Sequence, residues 1–294
     1  MLTGYILADK EVVGYRMPTL LELSTGKGNR NPPRKISKYE YVTTDGEIKE
    51  YEKHSINRSE NLTSIKNTMK SLRRLIQNNF FGKSNELWVT LTYAENQTDN
   101  EQVTKDFKVF MKKLRRRYSE MEYLVVLEPQ KRGAWHLHVL FKQIGVQNLF
   151  IPFEQMSKLW GHGYVYVKKL RESDNVAAYV TAYLTNVEVD GTENLDDDNI
   201  YVSPNDNKRY IKGGRLHLYP RNMRFYRASK GIKKPEKVKG KKRKIVSDLS
   251  IEDRAYLPDG YRKYDLPKKD GDTFRLEKEY YKLESGNCES DANI

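Results

Sequence analysis

Two histidines, His136 and His138 in the segment WHLHVLF (135–141), stand two residues apart in a stretch that reads as a β-strand. Successive side chains of a strand alternate between faces, so both imidazoles point one way and Trp135, Leu137, Val139 and Phe141 the other. Glu128 ends the preceding apolar run YLVVLE (123–128), and Pro129 and Gly133 of the connection PQKRGA are turn residues. An antiparallel hairpin over 123–141 would bring the Glu128 carboxylate beside the imidazoles. Two neutral imidazoles and one carboxylate form a donor set that leaves positions on a metal open for water and substrate. The same spacing also suits two histidines that merely alternate on a polar sheet face.

A second candidate group is the pair Tyr179 and Tyr183 in AAYVTAYLTN (177–186), one helical turn apart. Val176, Val180, Leu184 and Val187 form the apolar stripe of a helix capped by Ser173 or Asp174, and both tyrosines lie on one shoulder of that stripe with Asn186. A tyrosine oxygen can serve as a nucleophile and hold a covalent intermediate when the charge on the attacked group is stabilised. The plainer role is that of half-buried aromatics whose hydroxyls reach water. Cys288, the one cysteine, lies in a polar C-terminal stretch; it excludes an intramolecular disulfide and is read as a surface residue.

The elements that must position these residues are legible from periodicity. Leu62, Ile65, Met69, Leu72, Ile76 and Phe80 recur at helical spacing between a cap at Ser59 and a stop at Gly82, with Lys66, Lys70, Arg73 and Arg74 outward. LWVTLTY (87–93) alternates as a half-buried strand with Thr90 and Thr92 on one face. A helix follows over 101–118 with Val103, Phe107, Phe110, Met111 and Leu114 on its inner stripe. After the hairpin come a short helix ending at Gly161, a strand at YVYV (164–167) and the Tyr-bearing helix. This order suggests a sheet with helices on one face, an α+β sandwich. Residues 188–198 hold six acids and read as an excursion or linker; residues 1–58 read as short strands or an irregular arm.

With 53 Lys and Arg against 40 Asp and Glu, the net charge of +13 makes nucleic acid the leading partner class. No run of 18 apolar residues is present and the opening lacks a secretory core, which excludes a membrane span and predicts a cytoplasmic protein. No repeat and no G-x-x-x-x-G-K-[ST] match occurs, so an attached P-loop helicase is not expected. Lys230 to Lys244 contains nine Lys or Arg and reads either as a flexible electrostatic arm or as a solubilising tail. Tyr210, Tyr219, Phe225 and Tyr226 interleave with Arg221, Arg224 and Arg227, a mixture that suits both base stacking beside phosphate contacts and core strands.

Taken in chain order, the Thr-bearing strand, Glu128 with His-Leu-His, and the Tyr-bearing helix resemble the three motifs of HUH endonucleases, specifically the rolling-circle replication initiators (Rep proteins) of phages, plasmids and related mobile elements. KRGAWHLHVLF resembles the second motif and YVTAYLTN the third. LWGHGYVYVKKL and RFYRASKGIKKP are also similar to the phage-type Rep family, and the likeness covers residues 84–235.

The resemblance implies an α+β, ferredoxin-like palm with a central antiparallel β-sheet and helices packed on one face, the HUH nuclease fold. It would occupy 83–228, between a basic N-terminal arm and helix (1–82) and a basic, charged C-terminal tail (229–294). By the same resemblance His136, His138 and Glu128 would hold Mg2+ or Mn2+. Tyr183 or Tyr179 would attack a phosphate of single-stranded DNA at an origin, leaving a 5′-phosphotyrosine and a 3′ hydroxyl for a host polymerase, with a host helicase separating the strands. Where the family often has Lys three residues after the nucleophile, Asn186 follows Tyr183 and Ala182 follows Tyr179; Lys168, Lys169 and Arg171 are candidates to replace it. Thr90 and Thr92 would meet phosphate or sugar on the DNA-facing side, with Arg221, Arg224 and Arg227 as further DNA contacts, although β-branched residues also simply fill strands. A relaxase or transposase of a mobile element, a hydrolase in which water attacks, and a basic DNA-binding protein without catalysis are the competing readings.

Overall fold

The computed structural model describes residues 10–25, 34–37, 39–43, 46–50, 62–130, 132–171, 187–189, 200–202, 209–211, 216–220, 223–251, 257–267 and 273–283. The architecture is α+β with antiparallel sheets, and the chain divides into two compact units, one of Ser55–Lys233 and one that joins Met1–His54 to Lys234–Ile294. Among the described residues no helix is long and apolar enough to cross a membrane.

The central unit opens with helix α1 (Leu62–Asn79), which buries Ile65, Leu72, Leu75 and Ile76 at the spacing the sequence predicts and leaves Lys66, Lys70 and Arg73 exposed. Its expected cap, Ser59, lies outside the described residues. Then follow β6 (Glu86–Leu91), α2 (Asn100–Arg117), β7 (Met121–Pro129), β8 (Trp135–Gln143), α3 (Phe153–Trp160) and β9 (Val165–Lys169), the βαββαβ order of a ferredoxin-like unit. Strand β13 (Tyr226–Ala228) adds to the far side of β7, giving the sheet order β13-β7-β8-β6-β9 with every pair antiparallel.

Local chemistry explains the boundaries. The Asp99 side chain accepts from the N–H of Glu101 and starts α2, while Gly161, at φ 73°, takes the left-handed conformation that ends α3. In the β7–β8 turn the Gln130 N–H donates to the Ala134 carbonyl at 2.7 Å, and Gly133 supplies the φ of 90° that closes it. Buried Glu86, at the start of β6, accepts from the N–H groups of Phe81 and Gly82 at 2.9 and 2.8 Å and so ties the end of α1 to the sheet. Helices α2 and α3 pack on one face through Phe107 against Tyr123, Phe110 against Phe141 and Phe110 against Trp160, with ring centroids 5.0, 6.3 and 5.7 Å apart.

Three expectations change. Val187 belongs to a short strand, β10 (Val187–Val189), and not to the end of a helix; β10 pairs with β12 (Arg209–Ile211), which pairs with β11 (Ile200–Val202). The acidic excursion therefore runs between paired strands. Second, 1–82 and 229–294 do not behave as an arm and a tail. β1 (Glu11–Met17), β2 (Leu20–Ser24), β14 (Glu236–Lys241), β15 (Gly260–Pro267) and β16 (Thr273–Lys282) form one antiparallel sheet in the order β14-β1-β2-β16-β15, and β3 (Arg34–Lys35), β4 (Glu40–Val42) and β5 (Ile48–Glu50) form a small one. Third, the basic run is ordered: its first half is β14 and its second opens α4 (Lys242–Ser247). Strand pairing with residues more than 200 positions away is invisible to local pattern.

Lys242 shows why that run cannot be a solvated tail. Its side chain is wholly buried, pairs with Glu279 at 2.9 Å, and shares that carboxylate with the Tyr281 hydroxyl at 2.8 Å, beside a core of Val12, Leu21, Leu23, Ile245 and Leu249. Removing one member of such a pair strands the other charge out of water. Lys242→Ala is expected to lower the unfolding free energy by about 3–5 kcal/mol in urea melts followed by circular dichroism, while the double change Lys242→Met, Glu279→Leu recovers most of the loss.

Candidate active site

The imidazole face is set by register. Glu128 stands directly opposite His136 across the β7–β8 pair, and His138 stands opposite Val126 on β7 and Thr90 on β6. Directly opposed residues share a face, so Glu128, His136, His138 and Thr90 all project from the side away from α2 and α3. The structure thus brings together the three side chains that the hairpin argument joined. The contact it makes is a hydrogen bond of 2.5 Å between His138 Nε2 and Glu128 Oε2, with Glu128 2% and His138 8% exposed. Among the described residues no cluster of three His, Cys, Asp or Glu side chains closes to metal-ligand geometry.

His138 is fixed from both sides. Trp88 Nε1 donates to Thr90 Oγ1 at 3.2 Å, Thr90 Oγ1 lies 3.2 Å from His138 Nδ1, and the Trp88 ring stands 5.7 Å from the imidazole. A neutral imidazole satisfies this chain with its proton on Nε2, donated to Glu128, and Nδ1 accepting from the Thr90 hydroxyl. Thr90 is therefore a positioning residue for His138. The sequence reading missed Trp88 altogether, although its place two residues before Thr90 on a period-two strand is the signal that would have found it.

Burial holds both imidazoles neutral. It pushes His138 down to about 4, outweighing the carboxylate at 2.5 Å because a charged pair so nearly dry has almost no solvation. It does the same to His136, to about 4, reinforced by the positive charge that His138 and Arg132 would present.

The other predicted residues are dispersed. Tyr179, Tyr183 and Arg221 lie outside the described residues. Thr92 falls just past β6, and its hydroxyl donates to the Tyr164 carbonyl at 2.9 Å. Lys168 stands opposite Trp88 on the imidazole face, whereas Lys169, opposite Leu87, is on the helix-covered face and donates to Asn148 Oδ1 at 3.3 Å. Arg171 and Arg224 are exposed. Arg227 is on the helix side, where its guanidinium donates to Thr104 Oγ1 of α2 at 2.6 Å and burial lowers its pKa. Of the interleaved aromatics, Tyr219 and Phe225 are core residues with rings 4.4 Å apart, and the Tyr219 hydroxyl donates to the Leu127 carbonyl. Tyr210 lies in β12. Tyr226 shares the imidazole face, opposite Val126, with its phenol pKa raised by burial; Tyr166, opposite Thr90, holds the matching place at the other edge.

Residues 86–188, from the start of β6 into β10, match the model of a family described as replication-associated protein ORF2. No curated protein and no solved structure matches the chain. The matched stretch contains Glu128, His136 and His138, as well as Tyr179 and Tyr183, so the similarity to replication proteins falls on the site itself.

The depressed imidazole pKa values have a fixed sign. Between about pH 6.5 and 4 the unfolded chain binds protons that the folded chain refuses, so stability is complete above 6.5 and falls as the pH drops through that window. Thermal melts of the metal-free protein should lose Tm across it, and the double change His136→Asn, His138→Asn should flatten the slope. An unchanged slope in that variant would show that Glu128 keeps His138 charged.

Proposed function

We propose that the chain is an origin-nicking replication initiator of the HUH type, which cuts and rejoins single-stranded DNA through a tyrosine-linked intermediate. The observation that carries this reading is the buried contact of Glu128 with His138, with His136 opposite the same carboxylate, inside the stretch similar to replication-associated proteins.

The donor chemistry suits a divalent cation. Two imidazoles held neutral and a carboxylate on one face supply two nitrogen donors and an oxygen donor, and His136, His138 and Glu128 would hold Mg2+ or Mn2+. The cation would polarise the phosphate under attack and stabilise its developing charge. The proton between His138 Nε2 and Glu128 must then leave that position, and Nδ1 must carry the imidazole hydrogen and donate it to Thr90; the Thr90 hydroxyl can accept because a hydroxyl serves in either sense. Trp88 and Thr90 thus keep the ring in place in both tautomers.

Tyr183 or Tyr179 supplies the attacking phenol oxygen. A bond forms between that oxygen and phosphorus, the bond from phosphorus to the 3′ oxygen breaks, and the phenol's proton is delivered to the departing oxygen. One phosphodiester is exchanged for another, so the strand can later be rejoined by the reverse step. Lys168, exposed on the imidazole face beside Trp88, and Arg171, just past β9, are placed to meet the phosphate backbone in the role of the missing motif lysine. A host polymerase would extend the 3′ hydroxyl and a host helicase would open the duplex.

Incubation with single-stranded origin oligonucleotides and manganese should yield a mobility-shifted, EDTA-sensitive protein–DNA adduct on a denaturing gel. The double change Tyr179→Phe, Tyr183→Phe should abolish it; persistence of the adduct overturns the assigned nucleophiles, and cleavage without any adduct points to attack by water. His138→Ala should remove cleavage while salt-sensitive binding survives. Thr90→Val, which keeps the shape and removes the hydroxyl, should weaken manganese affinity about 10-fold to 100-fold in calorimetry.

A further inference from the structure

The sheet built from both ends of the chain has two unlike faces. One carries Val12, Leu21, Leu23, Glu279 and Tyr281 and is covered by α4. The register assigns the other face residue by residue. A single row across all five strands reads Lys239, Val13, Ser24, Lys278 and Arg262, and the next reads Lys237, Tyr15, Glu22, Tyr280 and Gly260. Alternation adds Lys241, Lys282 and Tyr264 to this face.

Six cations (Lys237, Lys239, Lys241, Lys278, Lys282 and Arg262) therefore stand on one side of a sheet, against two acids, Glu11 and Glu22, among the described residues. They do not form a uniform charged coat. Val13 is 39% and Tyr264 38% exposed between them, Tyr15 and Tyr280 are half-buried, and Lys278 Nζ lies 5.9 Å over the Tyr264 ring. Cations at both margins with aromatic and apolar surface between them match a strand of nucleic acid whose phosphates are neutralised at the edges and whose bases lie on rings. Five strands at the usual spacing place Lys239 and Arg262 about 19 Å apart, a span suited to several nucleotides. A duplex offers no unpaired bases to the tyrosines.

We propose that the outer face of the β14-β1-β2-β16-β15 sheet is a second binding surface for single-stranded DNA, separate from the imidazole face. Lys239, Lys278 and Arg262 contact phosphates, and Tyr264 stacks a base. The identity of the strand as DNA rests on the replication reading above. The readout is binding and not cleavage, so a chain that never nicks still tests this surface, and a chain that nicks does not by itself support it.

The test uses the full chain and fluorescence-labelled oligo-dT, which lacks any origin. The triple change Lys239→Ala, Lys278→Ala, Arg262→Ala should reduce the slope of log affinity against log salt by about 2 and the affinity at 0.1 M salt by roughly 100-fold, as the loss of three phosphate contacts requires. Tyr264→Leu should weaken binding roughly 10-fold with the slope unchanged, the pattern of a lost stack. Photocross-linking of bromodeoxyuridine-substituted oligo-dT to the unaltered chain keeps the test independent of folding in the variants. Cross-links in peptides spanning 260–267 or 273–283 support the surface; cross-links confined to 86–188 overturn it. Equal slopes for the triple variant and the parent overturn it too, as does equal competition by duplex DNA or by oligo-U.

Discussion

The pairing of β7 with β8 is the constraint on which the candidate site depends. Because side chains alternate along a strand, one register puts Glu128, His136 and His138 on the same face, and a slip of a single residue would send the carboxylate to the side covered by α2 and α3. The five-residue turn with Gly133 at positive φ selects that register, and apolar pairs along the ladder, such as Leu124 with Leu140, hold it.

Placing these polar groups in a nearly dry part of the sheet has a cost that the local network offsets. Unpaired, a buried imidazole or carboxylate would oppose folding; joined in the series Trp88, Thr90, His138 and Glu128, each finds a partner. The same burial that keeps the imidazoles neutral leaves their nitrogens as donors for a cation across the neutral pH range. Structural satisfaction and readiness for metal chemistry thus come from one arrangement, and Thr90, expected to face DNA, works one step behind it.

The second unit follows a different logic. Its sheet has no continuous stretch of sequence behind it: β1 and β2 come from the beginning of the chain and β14 to β16 from the end, held by the buried pair of Lys242 and Glu279. A lysine-rich run that solvates well as a free tail becomes, once paired with β1, an edge strand with its cations aligned on one face. That alignment turns bulk charge into a surface of definite chemistry.

The sequence by itself determined the periodic features: the βαββαβ order, the inner stripes of α1 and α2, the hairpin and its turn, and the shared face of the two histidines. These depend only on the periods of helix and strand and on a few residues of turn chemistry. Only the tertiary structure decided the rest. Lys168 was separated from Lys169 by strand alternation beside β6, Arg227 was turned onto α2, Tyr219 and Phe225 went into the core, and the expected arm and tail became one sheet. Each of those outcomes depends on partners distant in the chain, and a pattern read within a short window carries no information about which distant segment will pair with it.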